Sequence, residues 1–345
     1  MTKRQLPATF KVDNVFIQGI PDFFGQKRAE AVQLSLPGLA PFGLFDLWAT
    51  LGLYSLLDPD KPEQEHTTTY TELLEVLQFT RNISEPLGGF ETFTTGEYRL
   101  VEETCHRLFT VEVKTQGFYK VPVVNKKTGK PGRGRPHKRP VNYHGRILIT
   151  LRYIYPADVE PPDLLPSTKR RNVNKAKTLN GEPAPPIWQR TEGPRPVAVG
   201  FRFHPDLVEG LKGENIGATT IPLRLFGLRK VFGRNLTATR LLVWVLRQTA
   251  QTMTRRLDGL AKELNLDQKN PGRSRLALLT AFDLLKKTGV VDDYSTEERE
   301  DGKTWVTFTK ADDWHFARVA KAKPPALAAP VVKGEKEGRM TPRLT

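Results

Sequence analysis

The sequence predicts an α+β protein of two tandem winged-helix domains joined by a proline-rich basic linker, each domain a helix-turn-helix completed by a β-wing. Three observations predict it. Between Thr254 and Lys310 a helical stripe, a polar break, a second helix and a hairpin follow one another. Helices and then strands also fill the first half, from Phe42 to Tyr155. Between the halves lies a stretch too rich in proline for regular structure. The repeat is one of architecture, because no residue-level repeat connects the two halves.

The second half carries the clearest signals. Leu257, Leu260, Ala261 and Leu264 recur at i, i+3, i+4 and i+7, one apolar stripe on a short helix. Asn270-Pro271 then offers an N-cap with proline at the first helical position. That helix should bury Leu278, Ala281, Phe282 and Leu285 and stop at Gly289 in the left-handed C′ position. Val290-Val291 starts a strand, an acidic loop turns at Asp301-Gly302, and Trp305 to Thr309 alternate in the return strand. Such an arrangement lets the second helix enter a major groove while the hairpin touches backbone. Arg273, Ser274, Arg275, Thr280 and Lys287 are the candidate DNA-facing residues of the helix, with Leu276 on the same outward side. Arginine near the start of such a helix suits guanine edges or phosphates. Lys303 in the wing, and Arg255 and Arg256 before the first helix, are further candidates. A winged helix used only for protein contact is the competing reading, and the basic surroundings weigh against it.

Composition sets the class. The chain has 345 residues, 38% hydrophobic, which suffices for two packed domains. No apolar run is long enough to span a bilayer, and Met1-Thr2-Lys3-Arg4 opens no signal peptide, so the expected location is cytoplasmic, without membrane partners. Cys105 is the only cysteine, which excludes an intrachain disulfide and a cysteine-built zinc finger. A formal charge of +15 points to a polyanionic partner, and double-stranded DNA fits best.

In chain order, residues 1–33 read as an arm in which Phe10, Val12, Val15, Phe16 and Ile17 could add an edge strand ended by Pro21-Asp22. It could pack on its own chain or on a second subunit. The first domain, 34–156, should hold a buried helix over Phe42 to Leu57 and a second carrying Tyr70, Leu73, Leu74 and Leu77. A third opens on the capping box Thr94–Glu97 and buries Tyr98, Val101, Cys105 and Leu108. Strands follow around Val111 and Val113, from Phe118 to Val124, and from Gly145 to Tyr155. Between them, Lys126, Lys127, Lys130, Arg133, Arg135, Lys138 and Arg139 occur with no acidic residue among them. A solvated loop is the plain reading. Alternating glycine, proline and arginine can also thread a minor groove or grip phosphate.

The linker, 157–196, carries Lys169, Arg170 and Arg171 and could lie along DNA backbone or simply stay soluble. The second domain, 197–322, should open with the strand Val197, Val199, Phe201, Phe203 ending at His204-Pro205. From Glu214 to Asp258 no acidic residue appears, while arginines collect, which is consistent with phosphate docking. Within that interval Thr237 is expected to cap a helix. Residues 323–345 form a tail whose composition predicts disorder.

No catalytic constellation stands out. Gly302-Lys303-Thr304 ends like a phosphate loop, but Glu297 stands where its first glycine should be, inside a hairpin. The histidines are too scattered for a nickase, and no tyrosine follows His315 and Arg318 as a tyrosine recombinase needs. There is no H-E-x-x-H zinc site. Three isolated carboxylates assembling a metal nuclease stay open as an alternative. The expectation is a non-enzyme with no metal, cofactor or catalytic residue.

At the level of layout, from about Leu34 to Phe316, the chain resembles plasmid replication initiators of the tandem winged-helix class. YTELLEVL and GEYRLVEETCHRL carry the likeness in the first domain. VAVGFRFHPDL, RNLTATRLLVWVL, LDGLAKELNL and SRLALLTAFDLLKKTGVV carry it in the second. The basic insertion from Val124 to Pro140 and the long linker depart from that pattern. The resemblance implies a sequence-specific binder of repeated sites at a plasmid origin, which promotes opening and recruits the replisome. It further implies the host initiator and replicative helicase as partners, and a homodimer through the first domain. A transcription regulator on a promoter or operator would use the same domains and is the alternative.

Overall fold

The computed structural model describes residues 8–24, 42–84, 90–121, 137–157, 196–212, 217–300 and 302–314. Secondary structure is mixed α and β, with eight α-helices and five small sheets among those residues.

In the first half, α2 (Leu44–Ser55) is buried almost all round, as its unbroken apolar run predicts. Strand β2 (His66–Thr69) leads into α3 (Tyr70–Val76), which Thr69 caps by accepting the Glu72 amide. A small hairpin, β3 (Asn82–Ser84) and β4 (Phe90–Thr92), precedes α4 (Thr95–Thr110). The expected capping box is present. Thr94 Oγ1 accepts from the Glu97 amide at 3.2 Å, and the Glu97 carboxylate accepts from the Thr94 amide at 2.7 Å. Helix α4 buries Val101, Thr104, Cys105 and Leu108, while Tyr98 is only half-buried. Burial pushes the Cys105 thiol up to about 12, consistent with a small core residue.

Strands β5 (Glu112–Val121) and β6 (His137–Arg146) pair only with each other. The strand expected from Gly145 therefore starts later, because Gly145 and Arg146 complete β6 and β7 spans Leu148–Ile154. Strand β8 (Ala198–Phe203), expected to open the second domain, is instead the middle strand of the sheet β2-β8-β7. It pairs antiparallel on both sides, His66 opposite Phe201 and Ile154 opposite Ala198. The Val197 amide donates to the Ile154 carbonyl at 2.8 Å. The proline-rich stretch thus leaves one strand and returns to its neighbour, so it closes a loop within the first half and does not join two domains. Its residues 158–195, with Lys169, Arg170 and Arg171, lie outside the described residues, as does the tail.

After two 3-10 turns come β9 (Ala218–Pro222), α5 (Leu228–Phe232) and α6 (Leu236–Arg247). Asn235, not Thr237, caps α6, its side-chain oxygen accepting the Ala238 amide at 2.9 Å. Then follow β10 (Thr252–Arg256), α7 (Leu257–Glu263), α8 (Pro271–Lys287), β11 (Val291–Glu298) and β12 (Thr304–Lys310). The sheet order is β10-β12-β11. Apart from the hairpins β3–β4 and β5–β6 of the first half, both halves therefore run helix, strand, helix, helix, strand, strand, with the last strand in the middle of the sheet. Gly289 has φ +68° after α8, the left-handed stop its position predicts.

The arm packs on its own chain. Strand β1 (Thr9–Asp13) pairs with β9, and Asp13 caps α1 (Asn14–Phe23). Val15, Phe16 and Ile17 are therefore helical, not an edge strand, and the helix runs through Pro21 to Phe23. Alternation and helical spacing are indistinguishable over so short an apolar run. Helix α1 lies against β5 on one side and α6 on the other. Arg240 of α6, only 5% exposed, donates to the carbonyls of Pro21 and Leu264, at 3.2 and 3.0 Å, and to that of Phe24. Asp13 accepts from the amides of Val15 and Gly210, at 2.7 and 2.6 Å. A Cβ on Gly210 would meet the Gly217 carbonyl oxygen at 2.3 Å, so only glycine allows that approach. One apolar core runs through both halves. Tyr54 stacks on Phe203 at 4.3 Å, and Phe226 lies against both Trp48 and Phe10 of the arm.

Candidate nucleic-acid interface

The candidate interface is built on α8. Asn270 Oδ1 accepts the Arg273 amide at 3.2 Å, and Pro271 occupies the first turn. The inward stripe is Ser274, Leu278, Ala281, Phe282 and Leu285. Ser274 is thus no DNA contact. It is 5% exposed, and its hydroxyl donates to the Asp267 carbonyl at 2.7 Å, pinning the turn between α7 and α8. Arg273, Arg275, Leu276, Thr280 and Lys287 are exposed as expected. Leu276 lies roughly opposite the inward stripe with Arg273 and Thr280 beside it, whereas Arg275 sits on the flank.

The C-terminal half of α8 is held by β11. Tyr294 stacks on Phe282 with centroids 5.2 Å apart and donates to Asp283 at 2.5 Å. Burial, and then the Asp283 carboxylate, push its hydroxyl up to about 12. Lys286 donates to Asp293 at 2.6 Å, which holds that exposed carboxyl below its ordinary range. These contacts leave the first three turns of α8 as its more accessible part.

The hairpin differs from expectation. Asp292, Asp293, Glu297, Glu298 and Glu300 are all exposed on β11 and the turn after it. Against them stand Arg299, paired with Glu297 and stacked on Trp305, and Lys303 at the base of β12. Lys303 is exposed, but it stands beside an acidic surface, whose sign opposes phosphate.

The acid-free interval before Asp258 is also largely structural. Arg224 covers Trp314 at 4.2 Å and pairs with Asp313. Arg229 stacks on Phe79 at 3.8 Å and donates to the Leu77 carbonyl, and Lys230 donates to Thr80. Arg240 is buried, and Arg247 is half-buried with its basicity lowered by desolvation. Arg234, Arg255 and Arg256 remain exposed. Arg255 borders a cleft of about 400 Å³ between α1, α6 and α7, while Arg256 lies 3.9 Å from Asp258. Sequence reasoning missed this because stacking partners such as Phe79 lie far away along the chain.

The third helix of the first half is dressed differently. Arg107 of α4 is committed to Asp46 at 2.7 Å, Arg99 is 3.7 Å from Glu103, and Glu97 caps the helix. Lys138 and Arg139 lie on β6, opposite Lys120 and Tyr119. Lys126, Lys127, Lys130, Arg133 and Arg135 lie outside the described residues. Among the described residues no helix is long and apolar enough to cross a membrane, and no group of three His, Cys, Asp or Glu could hold a metal.

No family model matches the chain, and no curated protein matches it. Among solved structures it is similar to domains 2 and 3 of RctB, seen as selenomethionine derivatives. The TM-score is 0.41 and the identity 11%, over 90% of this chain and 94% of that one. At that level the likeness carries no functional conclusion.

Proposed function

We propose that the chain is a sequence-specific double-stranded DNA-binding protein of the plasmid replication-initiator kind. On this reading it consists of two winged helices, spanning about 44–203 and 236–310, with α8 reading bases in the major groove. It acts by binding and not by catalysis. The observation that carries the reading is the outward face of α8. Arg273, Leu276 and Thr280 are exposed together on a capped helix whose first turn holds no acidic residue. The bound helix would be positioned by Arg255 and Arg256, while the acidic hairpin faces away from the phosphates. The basic strand residues Lys138 and Arg139, and the basic segments around Arg133 and Arg170, would add salt-dependent affinity.

The role at an origin rests on the sequence resemblance. Binding is tested by selecting duplexes from a random library with the full chain and titrating salt. The reading expects one preferred sequence and a steep negative slope of log affinity against log salt. A slope near zero on every duplex would sink it. Initiation is tested by asking whether this gene with its flanking DNA sustains an origin-less circle. Binding without maintenance would move the function to a promoter or operator.

A further inference from the structure

Leu276 has no structural task that explains its place. It is 66% exposed and, with Val197 and Val231, one of three exposed large apolar side chains among the described residues. It lies on α8 opposite the buried stripe, one turn from Arg273 and from Thr280. A leucine left in water at the middle of a helix face gains nothing for the fold, since the inward stripe already closes the core. Resting on the proposed reading of α8, we propose that Leu276 is a specificity residue that recognises the C5-methyl group of a thymine.

The chemistry narrows the choice. Base edges in the major groove are mostly donors and acceptors, and the thymine methyl is the apolar group among them. Arg273 supplies donors for guanine or phosphate, and the Thr280 hydroxyl serves either kind of polar edge. Leu276, between them, can satisfy neither and fits only the methyl. A protein partner's apolar pocket fits less well. Its neighbours one turn away are Gly272, Arg273, half-buried Leu279, which packs against the core, and Thr280, so Leu276 is the one fully exposed large apolar side chain of α8 and not part of an extended docking patch.

The test removes one methyl at a time. The preferred duplex from the random library is remade with each thymine replaced singly by uracil, and affinity is measured with the full chain. Wild type should lose about four-fold at one position, the effect of one buried methyl-sized group. Leu276→Ala should bind with the same affinity whether thymine or uracil stands there, and Leu276→Met should keep part of the discrimination. Because the side chain is exposed, both variants should unfold at the wild-type temperature. If no uracil weakens wild type, or Leu276→Ala retains the same loss, the assignment fails while the reading of α8 stands. If the library yields no preferred duplex, the proposed function itself fails, and this assignment with it.

Discussion

Apart from the hairpins β3–β4 and β5–β6, the two halves share one order of helices and strands and the same sheet order, yet their charged residues are placed differently. In the second half the third helix shows Arg273, Leu276 and Thr280 outward, and the hairpin beside it is acidic. In the first half the third helix spends Arg107 on Asp46 and Glu97 on its own cap, and Lys138 and Arg139 lie on the separate hairpin β5–β6. A common backbone plan therefore does not fix what a helix can read. The charge dressing differs, with Arg273 and Arg275 exposed on α8 while Arg107 of α4 is paired with Asp46.

That contrast can be broken most severely through the arm that ties the halves. Arg240→Ala leaves the carbonyls of Pro21, Phe24 and Leu264 without their buried donor. It should cost about 3–5 kcal/mol in denaturant unfolding. A loss below about 1 kcal/mol would show that the arm is not anchored there.

A second difference lies where the central strands end. Strand β8 ends in buried Phe203, whereas β12 ends in Lys310, 1% exposed, whose amine donates to the Gln248 carbonyl at 2.5 Å. Burial lowers that amine to about 8. The unfolded chain holds its lysine protons up to about 10.4. Between those values the folded state binds fewer protons than the unfolded, so stability should rise as pH climbs through 8 towards 10. Lys310→Met should flatten that rise, an effect on the order of 2 kcal/mol. Equal slopes in both proteins would mean the amine is solvated.

Binding sharpens the comparison at smaller scale. Arg273→Ala should cost about 1–3 kcal/mol on the preferred duplex, whereas Arg99→Ala on α4 should change affinity by less than about 0.5 kcal/mol. Equal losses would make the two helices equivalent readers. Smallest of all, replacing Glu297, Glu298 and Glu300 together by glutamine should tighten binding to random duplex about two- to ten-fold at low salt. The gain should vanish at high salt. No gain at any salt would place the hairpin more than a Debye length from DNA.

Local signals were readable in the sequence where the chain supplies its own partner. The Thr94–Glu97 capping box, the Asn270-Pro271 start and the Gly289 stop each depend on residues within four positions, and each stands as expected. The candidate site was readable in part. Helical spacing put Arg273 and Thr280 outward, and it also sets Ser274, four residues before Leu278, on the inward face; its hydroxyl suggested a DNA contact, but it is spent on the Asp267 carbonyl. Long-range pairing was not readable. Strand β8 alternates in the same way whichever sheet receives it, so its place between β2 and β7 and the closure of the proline-rich loop appear only in three dimensions. The arginines of the acid-free interval misled for the same reason, since Phe79, Trp314 and Phe24 are remote in sequence.

The arm sets an order of events during synthesis. Residues 9–24 leave the ribosome well before their partners, since β9, Gly210 and Arg240 lie roughly two hundred positions later. At typical elongation rates of 5–20 residues per second, the arm waits about 10–40 s for its partners. Through that interval Phe10, Val12, Phe16 and Ile20 have no native cover from the second half, and the nascent chain presents them to whatever is near. These residues are thus made well before they can find their place, and folding of the first half has to proceed around a strand and helix still without a home.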